Sequence, residues 1–180
     1  PQIRDQVWDI LGREVGILSL AGTATDSLLW AHYGDSHRGF ALEFHSADPY
    51  FDRRRSAVDD FYHLREVVYR TRANTPPLAQ LTGTDMFCIK DPKWQYEKEW
   101  RILAPLKDAT SRKPDPDGDI YLFPFPFAGL RRVLLGPRAS MELEQRLKQA
   151  LASERTLAHV ACQRTTLDDR RGVVVLPPSP

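Results

Sequence analysis

Residues 97–106 read EKEWRILAPL, and the assignment of this segment decides the class of fold. "EWRILAPL" (99–106) reads as a strand, and if the backbone is extended already from Glu97, side chains alternate between two faces. Glu97, Glu99, Arg101 and Leu103 then share one face, and Lys98, Trp100, Ile102 and Ala104 the other. Trp100 and Ile102 are the expected core positions. The two carboxylates fall on the opposite face, about 7 Å apart along the strand. Such a pair can divide labour: burial raises the pKa of one, a neighbouring cation keeps the other ionised, and together they suit attack at a sugar carbon. The competing reading is plain surface pairing, Glu99 with Arg101 or Glu97 with Lys93, and exposed ion pairs are common.

Working outward, elements alternate without a strict βαβ rhythm. Upstream, "IRDQVWDIL" (3–11) has the spacing of a short amphipathic helix and "VGILSLA" (15–21) that of a buried strand. Asp26 or Ser27 is placed to cap a short helix, "SLLWAHY" (27–33), that Gly34 stops. A polar turn, "GDSHRG", leads into "FALEF" (40–44), where Phe40, Leu42 and Phe44 are expected on one face. "DPYFDRRRSAVDD" is a loop, "LREVVYRT" (64–71) a strand and "LAQLTGTDMFCIK" (78–90) a helical stretch that carries Cys88. Downstream, "KDATSRKPDPDGD" (107–119) is a loop, and the prolines of "IYLFPFPF" confine that strand to a sheet edge. "LRRVLLG" is a strand. Ser140 caps a helix at "MELEQRLKQALASE", and "LAHVACQR" and "GVVVLP" are closing strands. The expected fold is α+β, with a mostly antiparallel mixed sheet and three or four helices. It forms a single domain over residues 1–176, followed by an extended tail at 177–180.

The 180 residues carry 25 Lys+Arg against 24 Asp+Glu, for a net charge of +1. That balance supplies no field to collect nucleic acid or a membrane surface. Only two cysteines are present, far apart, which fits a reducing, cytoplasmic setting. No apolar run reaches the ~18 residues of a membrane span. The opening PQIRDQVWDIL lacks a basic segment followed by an apolar run, so no signal peptide is expected.

Two segments are dense in chemistry. "LLWAHYGDSHRGF" holds Trp30, His32, Tyr33, Asp35, His37 and Arg38. His32 suits a general base, or a half-buried imidazole satisfied by loop carbonyls. His37 and Arg38 sit in a turn that can grip an anion. With Asp35, the two histidines would be the ligands of a metal-dependent phosphoesterase or nuclease, although their spacing matches no strong metal template. "KDPKWQYEKEWRIL" holds Lys90, Trp94, Glu97, Glu99 and Arg101. Arg53, Arg54 and Arg55 form a basic run that reads as a solvated loop.

Three blocks carry a resemblance: "ILSLAGTATDSLLWAHYGDSHRGFALEF", then "VVYR" with "IKDPKWQYEKEWRIL", then "LRRVLLGPRAS" before the amphipathic helix. Together they resemble a bacterial family filed as domain of unknown function twenty-nine seventy-one. Members usually also carry a Tyr-rich strand and an Asn-Asp-Pro segment, both absent here, so the chain resembles the family's later two-thirds. Glu97-x-Glu99 is in addition similar to the Glu-x-Glu element of ADP-ribosyltransferases, and that similarity implies a split sheet and a transferase of toxin or defence type. Glu99 would hydrogen-bond the nicotinamide ribose and favour departure of nicotinamide. Glu97 would help deprotonate the acceptor, whose identity the sequence leaves open, and His32 and Tyr33 would line the pocket. Trp30, His37, Arg38, Lys90, Trp94 and Arg101 complete the expected substrate contacts, although Trp30 and Tyr33 read by themselves as core and rim aromatics rather than as a stacking platform. NAD would be a substrate, with no tightly bound cofactor. The alternative is a non-catalytic domain that binds a small anion, such as a nucleotide, or a protein partner.

Overall fold

The computed structural model describes residues 12–77, 80–81, 83–168, 170 and 173–176. The helix expected at 3–11, part of the helical stretch at 78–90 and the tail at 177–180 lie outside these. The fold is α+β, built from several small and mostly antiparallel sheets. The chain gathers into two compact units whose segments interleave: residues 1–20, 49–95 and 99–125 form one, and 21–48, 96–98 and 126–180 the other.

The first unit is organised around the segment that follows Lys98. It contains β1 (Val15–Ala21), β3 (Arg65–Glu66), β4 (Val68–Tyr69), β5 (Ile89–Lys90), β6 (Glu99–Pro105), β7 (Ser111–Lys113) and β8 (Ile120–Leu122). β6 is the middle strand of a three-stranded sheet in the order β1-β6-β3. A central strand is covered on both faces, so Ile102 and Leu103, which point opposite ways, are 3% and 0% exposed. β1 is a strand but not a buried one, since Ile17, Leu18 and Ser19 are all exposed.

The strand expected at 64–71 is divided. Val67 donates its N–H to the Glu99 carbonyl, and the two halves pair in different sheets: β3 runs antiparallel to β6, β4 parallel to β5. Cys88 lies in a single 3-10 turn, Asp85–Cys88, rather than on an α-helix. The loop expected at 107–119 contains β7, which pairs with β8 as a hairpin. Pro124 and Pro126 stay outside β8, where no ladder bond is required of them.

In the second unit β2 (Phe40–Phe44), β9 (Leu130–Leu135) and β10 (Ala161–Arg164) form a sheet with β9 in the middle. β2 is antiparallel to β9 and β10 is parallel to it. The crossover from β9 to β10 carries α2 (Met141–Ser153), as a parallel connection requires. Ser140 caps α2 by accepting the Leu143 N–H at 3.1 Å. Leu147 and Leu151 of α2 pack on Leu130, Val133 and Val160. Trp30, Leu134 and Val174 build a separate cluster, the last residue coming from the hairpin of β11 (Thr166–Asp168) and β12 (Val173–Val175).

The faces of β2 differ from the alternation reading. Ala41 packs against the Trp30 cluster and Glu43 meets Arg132 at 2.9 Å, while Phe40 and Leu42 are exposed. A register shift between Glu43 and Phe44 turns Phe44 back onto the Val133 cluster.

Candidate functional site

In the first unit four expected residues meet: Lys90, Trp94, Glu99 and Arg101. Glu99 is the first residue of β6 and only 5% exposed. Arg101, two positions on and therefore on the same strand face, grips it with two bonds: Nε donates to Oε1 at 2.7 Å and Nη2 to Oε2 at 3.0 Å. Lys90 Nζ, from β5, donates to Oε2 at 2.8 Å. Ser19 of β1 stands close enough to help hold the pKa of the same carboxylate down.

The backbone around Glu99 is fixed as well. Its N–H donates to the Tyr69 hydroxyl oxygen at 2.8 Å. Arg101 is held from behind, its Nη1 donating to the Phe87 carbonyl. The Lys90 ammonium stands 5.3 Å from the centre of the Trp94 ring.

These contacts set the charge state of Glu99. Burial by itself pushes its pKa up. Arg101, Lys90 and Ser19 outweigh that and hold the carboxyl at about 2. Glu99 is therefore a buried, ionised carboxylate in a cationic cradle.

The second unit holds the remaining residues, and α1 (Ser27–His32) positions most of them. The Asp26 carboxylate accepts the Leu28 N–H at 2.8 Å and starts the helix. The amphipathic pattern buries Leu29 and Trp30 on one side. Trp30 is a core residue, 3% exposed, whose indole N–H donates to the Ala24 carbonyl at 2.8 Å. On the other side His32 and Tyr33 are exposed. Tyr33 nonetheless has a partner, its hydroxyl donating to Glu97 Oε1 at 2.9 Å. Glu97 is 4% exposed.

The turn after α1 is unusual. Asp35, Ser36 and His37 all have positive φ, at 47°, 53° and 70°. For residues with a Cβ this costs roughly 1 kcal/mol each. The surroundings compensate. His37 donates its N–H to the Trp30 carbonyl, the His37 carbonyl accepts from Arg138, and Gly39 accepts from Gly136. His37 is 9% exposed, with Nε2 2.9 Å from Ser27 Oγ. Gly136 has to be glycine, because a Cβ there would sit 2.2 Å from the His37 carbonyl oxygen. Arg38 pairs with Asp35 at 3.1 Å, with both side chains largely in solvent, and contributes little.

Two expectations need correcting. Extended backbone begins at Glu99 and not at Glu97. Glu97 closes a 3-10 segment, Pro92–Glu97, and Lys98 is left-handed with φ 46°. The strand alternation that was to put both carboxylates on one face thus stops short of Glu97. Trp30, expected at the substrate, is core. Ser19 and Tyr69 had no place in the expected site. The only trace of the first in the sequence is a lone hydroxyl inside the apolar run of β1.

Among the described residues no three His, Cys, Asp or Glu side chains gather in a way that could hold a metal ion, and no helix is long and apolar enough to cross a membrane.

Residues 29–102 match the model of a family described as a protein of unknown function (DUF2971). The match takes in α1 from Leu29 on, the left-handed turn, β2 and the part of the Glu99 surroundings that lies between Val68 and Ile102, and so includes the Trp-Ala-His-Tyr and Trp-x-Tyr-Glu-x-Glu-Trp blocks. Neither a curated protein nor a solved structure matches the chain.

Proposed function

We propose that the chain is an ADP-ribosyltransferase-like enzyme that takes NAD as substrate, with Glu99 as its key carboxylate. The observation that supports this reading is the state of Glu99: desolvated, rigidly oriented and ionised at the start of a strand. An anion fixed in a dry site is worth more to a developing positive charge than one in water. In the proposed reaction the bond from the ribose C1′ to nicotinamide breaks and nicotinamide leaves with the electron pair. Glu99 steadies the oxocarbenium-like C1′. The acceptor then bonds to C1′ and loses its proton, a role the Glu-x-Glu resemblance gives to Glu97.

One condition follows from the geometry. A carboxylate offers about four acceptor positions. Arg101 takes two and Lys90 a third, and Ser19 acts on the same carboxylate. A ribose hydroxyl must therefore compete with these donors. Lys90, whose side chain is the more exposed of the two cations, is the one to yield.

The same filled cradle favours a second reading, in which Glu99 is a structural clamp in a non-catalytic domain that binds a small anion or a protein partner. Incubation with nicotinamide-labelled NAD and candidate acceptor proteins separates the two. The enzyme reading expects nicotinamide release that Glu99→Gln lowers at least a hundredfold and Glu97→Gln lowers for transfer more than for NAD hydrolysis. Equal release by parent and Glu99→Gln, or none by either, removes it.

A further inference from the structure

We propose that the Tyr33 hydroxyl is itself an acceptor of the transfer, so that the chain modifies its own surface. This rests on the reading above, in which Glu97 takes the acceptor's proton. A residue in that role must lie within hydrogen-bond reach of the proton it removes, about 2.6–3.2 Å between heavy atoms. The Tyr33 hydroxyl meets that condition, donating to Glu97 Oε1 at 2.9 Å. Both residues belong to the second unit, Tyr33 in its segment 21–48 and Glu97 in 96–98.

The pairing is held from both sides. Tyr33 ends α1, and its N–H donates to the Leu29 carbonyl at 2.8 Å, which fixes the root of the side chain. The His32 and Tyr33 rings meet edge to face, with their centres 6.2 Å apart. Glu97 ends its 3-10 segment, and the carbonyl of left-handed Lys98, the next residue, accepts the Gly22 N–H at 2.9 Å.

The two side chains differ in exposure in the sense an acceptor requires. Glu97 is 4% exposed and Tyr33 67%. A tyrosine that served packing alone would bury its ring. Here the ring lies mostly in solvent while its hydroxyl is anchored at a buried carboxylate. A bulky group added to that oxygen therefore has solvent to extend into and displaces no core.

The step balances. The bond from C1′ to nicotinamide breaks, and nicotinamide leaves with the electron pair. A lone pair on Tyr33 Oη forms the new bond to C1′. The O–H bond becomes acidic as that bond forms, and its proton passes to Glu97. NAD and tyrosine give O-linked ADP-ribosyl-tyrosine, nicotinamide and a proton, and no oxidant or further reactant is consumed.

The test incubates the whole chain with NAD labelled in its adenine and follows nicotinamide release in parallel. The protein is then digested and mapped by mass spectrometry. ADP-ribose is expected on the peptide that carries Tyr33, at the phenol oxygen. The labelled fraction should grow at the same rate after about tenfold dilution of the protein, as a reaction within one chain does. Tyr33→Phe should incorporate less label by about tenfold or more. Nicotinamide release with no label on Tyr33, or labelling that slows in proportion to dilution, would overturn this proposal and leave the reading of Glu99 standing. No release by the parent removes both.

Discussion

Replacing Arg101 by methionine keeps the apolar stem of the side chain and removes the fork that holds Glu99. The carboxyl moves from an ordinary value of 4.5 to about 2 on folding, a depression worth about 3 kcal/mol at neutral pH. Arg101 makes two of the three hydrogen bonds to the carboxylate, so its loss should forfeit about 2 kcal/mol of that. The Phe87 carbonyl also loses a donor, which adds about 1 kcal/mol. The expected destabilisation is therefore about 3 kcal/mol near pH 7, at the lower edge of what breaking a buried ion pair costs. Urea unfolding measures it through a shift in midpoint at constant slope.

The sign with pH is fixed. A carboxyl with a depressed folded-state pKa contributes stability above its unfolded value, and loses it as pH falls through the folded one. The unfolded chains titrate alike, so the gap between parent and Arg101→Met should be constant above about pH 5 and shrink as pH falls toward 2. A deficit near pH 7 of under about 1 kcal/mol, or one that stays the same down to pH 2, would mean that Arg101 does not hold Glu99 ionised.

Other outcomes follow from the second unit and from the thiols. Gly136→Ala puts a methyl group on top of the His37 carbonyl and should cost about 3 kcal/mol, seen as a lowered urea midpoint; an unchanged midpoint would contradict the packing of the left-handed turn. Ser27→Ala leaves the buried His37 ring without its hydroxyl partner and should cost about 1–2 kcal/mol in the same assay. Cys88 is buried, and desolvation pushes its thiol pKa up, so in native protein it should react with a thiol reagent far more slowly than in urea.

Local signals in the sequence translated well into local structure. The Asp26 and Ser140 caps, the apolar stripes of α1 and α2 and the run from Glu99 to Pro105 depend on neighbours a few residues away, and all formed as read. What failed depended on distant partners. Alternation in FALEF defines two faces, but the sheet around β2 decides which is covered, and it chose Ala41. Nothing near Val67 announces that it bonds the Glu99 carbonyl and splits a strand in two. Left-handed Lys98 carries no glycine or asparagine to mark it.

The site was half legible for the same reason. Lys90, Trp94, Glu99 and Arg101 lie within a dozen residues and betrayed themselves by density. Ser19 and Tyr69 reach Glu99 across the sheet and from the parallel β4–β5 pair, which only the folded topology brings near. Glu99 is also where local patterning is least informative. A strand-start glutamate beside an arginine reads as an exposed pair, and its burial beneath Lys90 and Ser19 makes it something else.

The proposed chemistry depends on the charge of that one buried carboxyl. Carbon-detected NMR of glutamate side chains, with Glu99 assigned by comparison with Glu99→Gln, measures it directly. The prediction is a Glu99 carboxyl that stays ionised until pH approaches 2 or the protein unfolds. Titration near 4.5 in the folded protein would contradict it, and the cradle would then be a crowd of surface charges.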